Sequence, residues 1–146
     1  MQETRPAEGA DGASAMSPEA MNERLAISPF AHWLGVRATD CTLGRVRLEL
    51  PWRAELAGTP GRLNAHGGVL AALIDTGASY AIATQAGRPV PTIDLHVDYH
   101  RPVSAETLCI EGRVVRLGKR MATAEATVTT LDGRLVATGR GLFLVD

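Results

Sequence analysis

Aromatic side chains are scarce in this chain: two Trp, two Tyr and two Phe make up 4% of 146 residues. That scarcity argues against the stacking platforms used to hold single-stranded nucleic acid, and it leaves Ala, Val and Leu to build a core of closely packed elements. A dominant charge is also lacking. Fifteen basic and 16 acidic side chains are well mixed, for a formal net charge of -1, so no field is available to wrap a polyanion or to adsorb to an anionic membrane. Nucleic-acid and membrane partners are therefore not expected. Cysteine is limited to Cys41 and Cys109, without metal-ligand spacing, and residues near the N-terminus form no apolar signal-peptide core. A reducing cytoplasm is the expected setting. The longest uncharged apolar segment is interrupted by Asp75, short of the ~20 residues that cross a bilayer, which favours a buried core helix.

The length suits one domain, and 45% hydrophobic with 21% charged residues is ordinary for a globular protein. Residues 1–16 carry little to bury and read as a disordered tail. Residues 17–34 read as a short helical segment. Ser17-Pro18-Glu19 has the N-cap and first-turn proline of a helix start, leading through Met21 and Leu25 to Ile27. After Ser28-Pro29, the residues Phe30, Trp33 and Leu34 form an apolar cap ending at Gly35.

From residue 35 to 146 the pattern is that of a single folded unit. Arg45, Arg47 and Glu49 alternate with Val46, Leu48 and Leu50, and Thr42-Leu43-Gly44 supplies a hairpin reversal. A loop over residues 51–65 leads to a helix predicted from Gly67 to about Ala86, stopped by Gly87 with Pro89 and Pro91 beyond. Strict alternation over Thr92 to His100 predicts a strand. Three more strands follow, over Leu108 to Leu117, Met121 to Leu131 and Leu135 to Val145, joined by short turns. Two strands, one long apolar helix and four strands make an α+β arrangement, a curved antiparallel sheet wrapped around the helix.

Asp75 is the lone carboxylate in that helix. Residues three or four steps away share its face: Ala71, Ala72, Ala78 and Ser79, with Gly68 and Ile82 a turn further. A carboxylate among methyl groups costs several kcal/mol of desolvation unless compensated. Such a residue is either a structural acid satisfied at an interface or an acid poised for chemistry. His66-Gly67-Gly68 opens the same helix, whose N-terminal N–H groups are pre-aimed donors for developing negative charge.

Three elements in this order, His-Gly-Gly entering the helix, Asp75 nine residues after His66, and Thr92-Ile93-Asp94-Leu95 in a strand ending at Arg101-Pro102, resemble the hotdog-fold acyl-CoA thioesterases of the phenylacetate-degradation type. The resemblance spans roughly residues 30–145. It implies hydrolysis of an acyl-CoA thioester without metal or other cofactor. Asp75 would be nucleophile or general base, the Gly67 N–H the oxyanion donor and Thr92 a hydroxyl that orients water or carboxylate. His66, Gly68 and Asn64 are the expected substrate-binding residues. Gly67 and Asp75 lie ~12 Å apart along one helix axis, and the resemblance implies that they meet across the interface of a homodimer or homotetramer. Relatives commonly carry Asn or Gln six residues before the His, where this chain has Pro60; Asn64 is the polar residue nearest to that role.

Two other functions fit the same pattern. A hydratase or dehydratase acting on enoyl or hydroxyacyl thioesters would use His66 as its base, and a non-enzymatic module would bind acyl-CoA without turnover. Asp94, His96, Asp98 and His100 share a strand face, but alternate strand residues are ~6.6 Å apart, too far for neighbours to chelate one ion easily, so a polar face is expected and no metal. Arg113, Arg116, Lys119 and Arg120 gather at one hairpin, read as surface charge or as phosphate ligands of coenzyme A. The acyl pocket is expected to draw on Trp33, Leu34, Leu56, Leu63 and Tyr80. Ser79 has no elbow-like motif, which leaves a serine hydrolase without support.

Overall fold

A computed structural model describes residues 16–146. The tail expected over residues 1–16 lies outside the described residues except for Met16, which packs partly against the core. Helix α1 (Pro18–Ile27) begins where Ser17 accepts the N–H of Ala20 at 3.2 Å, and it buries Met21 and Leu25. Helix α2 (Pro29–Leu34) starts at the Ser28 hydroxyl and stops at Gly35, which takes φ of +86°. Of the expected apolar cap only Leu34 is inside. Phe30 and Trp33 stay exposed, 6.0 Å apart, and the Arg53 guanidinium sits 5.0 Å over the Trp33 ring while donating to the Leu34 and Trp33 carbonyls.

Six strands form one antiparallel sheet: β1 (Arg37–Thr42), β2 (Arg45–Leu50), β3 (Thr92–Tyr99), β4 (Leu108–Leu117), β5 (Met121–Thr130) and β6 (Leu135–Leu144), in the spatial order β1-β2-β4-β5-β6-β3. Alternation sets the faces. Val46, Leu48 and Leu50 on β2 and Ala122, Ala124, Ala126 and Val128 on β5 are buried, while the residues between them point outward. Helix α3 (Gly67–Ala86) lies across the inner face against β2, β3, β4, β5 and β6, burying Leu70, Leu73, Ile74, Gly77 and Ala81. The approach is close because glycines meet at the crossing: a Cβ on Gly112 of β4 would overlap the carbonyl of Gly77. This is the hotdog arrangement expected from the sequence.

The two edges of the sheet differ. At β1, Asn22 of α1 reaches across and its amide accepts the Ala38 N–H at 2.7 Å and donates to the Ala38 carbonyl at 3.0 Å. At β3 no described element covers the outer edge, and Ile93 and Tyr99 are half exposed.

Candidate active site

The N-terminus of α3 is organised by His66. Its Nδ1 accepts the Gly68 N–H at 2.8 Å and its carbonyl accepts the Val69 N–H at 2.9 Å. Gly68 must be a glycine for this cap, since a Cβ there would lie 2.9 Å from the same Nδ1. The Gly68 N–H, expected to face substrate, is therefore already engaged. The Gly67 N–H has no acceptor among the described residues, which singles it out within the first turn. The ring of Tyr99 lies over this spot, 3.5 Å from where a Gly67 Cβ would be.

Asp75 is half-buried in the single chain and has a local partner: the Thr92 hydroxyl donates to Asp75 Oδ1 at 2.7 Å. Both depart from the expectation of an acid isolated among methyl groups. One chain leaves the face carrying Ala71, Ala72, Asp75 and Ser79 only partly covered, so the desolvation cost anticipated for the carboxylate is not incurred within it.

Thr92 reaches Asp75 because of a β-bulge. Strict alternation would place Thr92 on the same side as Asp94, His96 and Asp98, the outer face. Along β6, however, Thr92 pairs with buried Phe143, and Asp94 pairs with the next residue back, Leu142. The extra residue, Ile93, shifts the register, so Thr92 joins Leu95, Val97 and Tyr99 on the helix side.

The remaining candidates lie apart from this pair. Asn64 accepts from the Ser104 hydroxyl at 3.1 Å, and its carbonyl accepts the Gly58 N–H, which ties down the loop carrying Pro60. On the outer face His96 Nε2 lies 3.2 Å from Asp98 Oδ1, and His100 Nε2 lies 2.7 Å from the Thr138 hydroxyl. Of the basic cluster, Arg113 pairs with Glu125 and Arg120 with Asp146. Leu34 and Leu56 are core residues rather than pocket walls, whereas Trp33 and Leu63 face outward. Tyr80 does line a groove, between α1 and α3. Neither cysteine offers a nucleophile: both are buried, the Cys41 thiol is pushed up by burial and then by Asp40, and Cys109 Sγ accepts from Arg47 Nε at 3.2 Å.

Tyr99 was not among the sequence-derived candidates. It lies seven residues from Thr92, an odd spacing that regular alternation assigns to the opposite face, and only the bulge brings the two together.

Residues 64–137 match the family model described as the thioesterase superfamily. The proofreading thioesterase EntH of Klebsiella pneumoniae is 33% identical over 83% of this chain and 88% of its own length. An X-ray structure of a thioesterase-superfamily protein superposes with a TM-score of 0.84 at 43% identity, covering 88% of this chain and 98% of that one. A mutant form of the phenylacetic acid degradation protein PaaI from Thermus thermophilus gives a TM-score of 0.71 at 29% identity over 80% of this chain and 97% of that one.

Proposed function

The chain belongs to the thioesterase superfamily and is a thioester hydrolase, and on that premise we propose that it cleaves an acyl-CoA thioester, with residues 35–146 as the catalytic unit. Asp75 acts as nucleophile or as general base on water, and the oxyanion donor is the Gly67 N–H of a partner subunit. The observation that carries this reading is the hydrogen bond from Thr92 to Asp75 Oδ1. That bond holds the carboxylate in place, while Oδ2 stays free to attack a carbonyl or to take a proton from water.

The negative charge that then develops on the thioester oxygen needs a donor already in position. The unclaimed Gly67 N–H, at the positive end of the α3 dipole, is suited to that task. Within one chain it lies ~12 Å along the axis from Asp75. A two-fold dimer packed on the partly covered face of α3 would bring the Gly67 of one subunit to the Asp75 of the other. His66 serves this reading by capping the helix. Its Nδ1 is committed to the Gly68 N–H, which weakens the rival hydratase, where it would be the base.

The test is Asp75→Asn, which preserves shape and removes the base. Its kcat on an acyl-CoA should fall by ~10²–10⁴-fold, with thermal melting and oligomeric state unchanged. Wild-type turnover in that variant would overturn the assignment.

A further inference from the structure

We propose that the groove between the end of α1 and the C-terminal half of α3 is the acyl-chain site, and that it takes a linear acyl group of medium length; this rests on the reading of Asp75 given above. The groove encloses about 590 Å³, within the ~300–1,000 Å³ of small-ligand sites. Its walls are Ser79, Tyr80 and Ala83 on one side and Ile27 on the other, with Pro89 and Val90 completing it.

Two of these boundaries lead to the candidate active site. Ser79 is one helical turn from Asp75 on the same face, and Val90 is two residues before Thr92. Asp75 and Thr92 do not themselves line the groove, but these two neighbours put its near end next to their hydrogen bond, and in this proposal the thioester sits at that end. From Asp75 to Ala83 the helix advances ~12 Å, so an acetyl group would occupy only the head and an aryl ring only the first turn.

The far end is closed from α1, where Arg24 donates to the Gly87 carbonyl at 3.2 Å. Ile27 is 82% exposed, a large apolar side chain on the rim that an alkyl chain would cover. Among the described residues no carboxylate lines the groove; its charged lining residues, Arg24 and Arg88, lie toward the α3 C-terminus, away from Ser79, whereas the pocket of about 450 Å³ among Arg45, Arg47, Glu111, Arg113 and Glu125 carries both signs of charge.

The experiment is a comparison of kcat/KM on acetyl-, benzoyl-, octanoyl- and palmitoyl-CoA for the wild type and two variants. Ala83→Phe fills the groove from α3, and Ile27→Glu sets a charge on its rim at a position where folding is not at stake. The wild type should prefer octanoyl-CoA. Each variant should lose about tenfold or more on octanoyl-CoA, the scale on which apolar pockets discriminate, with acetyl-CoA hydrolysis unchanged.

An octanoyl-to-acetyl ratio unmoved by Ile27→Glu would overturn the groove assignment while leaving the thioesterase reading intact. A wild-type preference for benzoyl-CoA would do the same. Equal loss on every substrate together with dissociation of the oligomer would show that a partner subunit fills the groove, which also overturns the assignment. If the wild type hydrolysed none of the four, both readings would fall together.

Discussion

The β1 and β3 edges of the sheet present the same chemical problem, a row of unpaired backbone groups, and the chain treats them in opposite ways. At β1 the side chain of Asn22 acts as a surrogate strand, satisfying both the N–H and the carbonyl of Ala38. At β3 no described element does this: Asp94, His96 and Asp98 point to its outer face, and the large apolar side chains of Ile93 and Tyr99 are left half exposed along the edge. The difference teaches that the β1 edge is finished within one chain, whereas β3 and the adjoining face of α3 are left open, as the proposed dimer requires. The proposed chemistry, Asp75 with Thr92 and the Gly67 N–H beneath Tyr99, lies entirely on the unfinished side.

If that contrast is right, the largest effect should come from a charge on the unfinished side. Ala71→Arg, one turn before Asp75 on the partly covered face, should yield a folded monomer by gel filtration. Its kcat should drop by about 10²-fold, the cost of losing an oxyanion donor. A fully active monomer would break the comparison. On the finished edge, Asn22→Ala should leave kcat and assembly alone and cost about 2 kcal/mol in denaturant unfolding, because the Ala38 groups lose their partners.

A smaller effect sharpens the role of His66. His66→Ala should cost about 1 kcal/mol as a lost cap and reduce kcat, whereas His66→Asn, an alternative cap, should restore both; a proton-transfer role would survive neither change. The smallest effect concerns the β5–β6 turn, which belongs to neither edge strand. There the Thr130 hydroxyl and then Arg134 hold the Asp132 carboxyl below the ordinary carboxylate range. This contribution is present above the unfolded carboxylate value and is lost as pH falls through the lowered folded one. Asp132→Asn should therefore lower the melting temperature slightly at neutral pH, and the gap to wild type should close in acid.

Local pattern made much of this architecture legible. The alternation in β2, the capping of α1 by Ser17, and the span of α3 from Gly67 to its stop at Gly87 all follow from neighbours in sequence. What could not be read locally depends on pairing across the fold. Sheet order is one case: β3 precedes β4 in the chain yet lies beyond β6, so its position at an edge, and the exposure of Ile93 with it, is invisible in the strand itself. The Asn22 clamp, 16 residues from its partner, is another. The apolar cap expected of Phe30, Trp33 and Leu34 is only partly formed, because α2 buries only Ala31 and Leu34. Asp75 was conspicuous by its charge, but its link to Thr92 came from family resemblance, since regular alternation turns that hydroxyl away.

The bulge at Ile93 makes chain length, as much as residue identity, a determinant of the site. Between Asp75 and Thr92 the separation is 17 residues, and Ile93 is the residue that brings the hydroxyl inward while the rest of β3 keeps its register. A relative with the same Asp and Thr but one residue fewer at that point would keep every motif letter and point the hydroxyl at solvent. Single-residue insertions and deletions at this edge are therefore a route by which such a fold could acquire or lose a supported carboxylate without substituting either functional side chain.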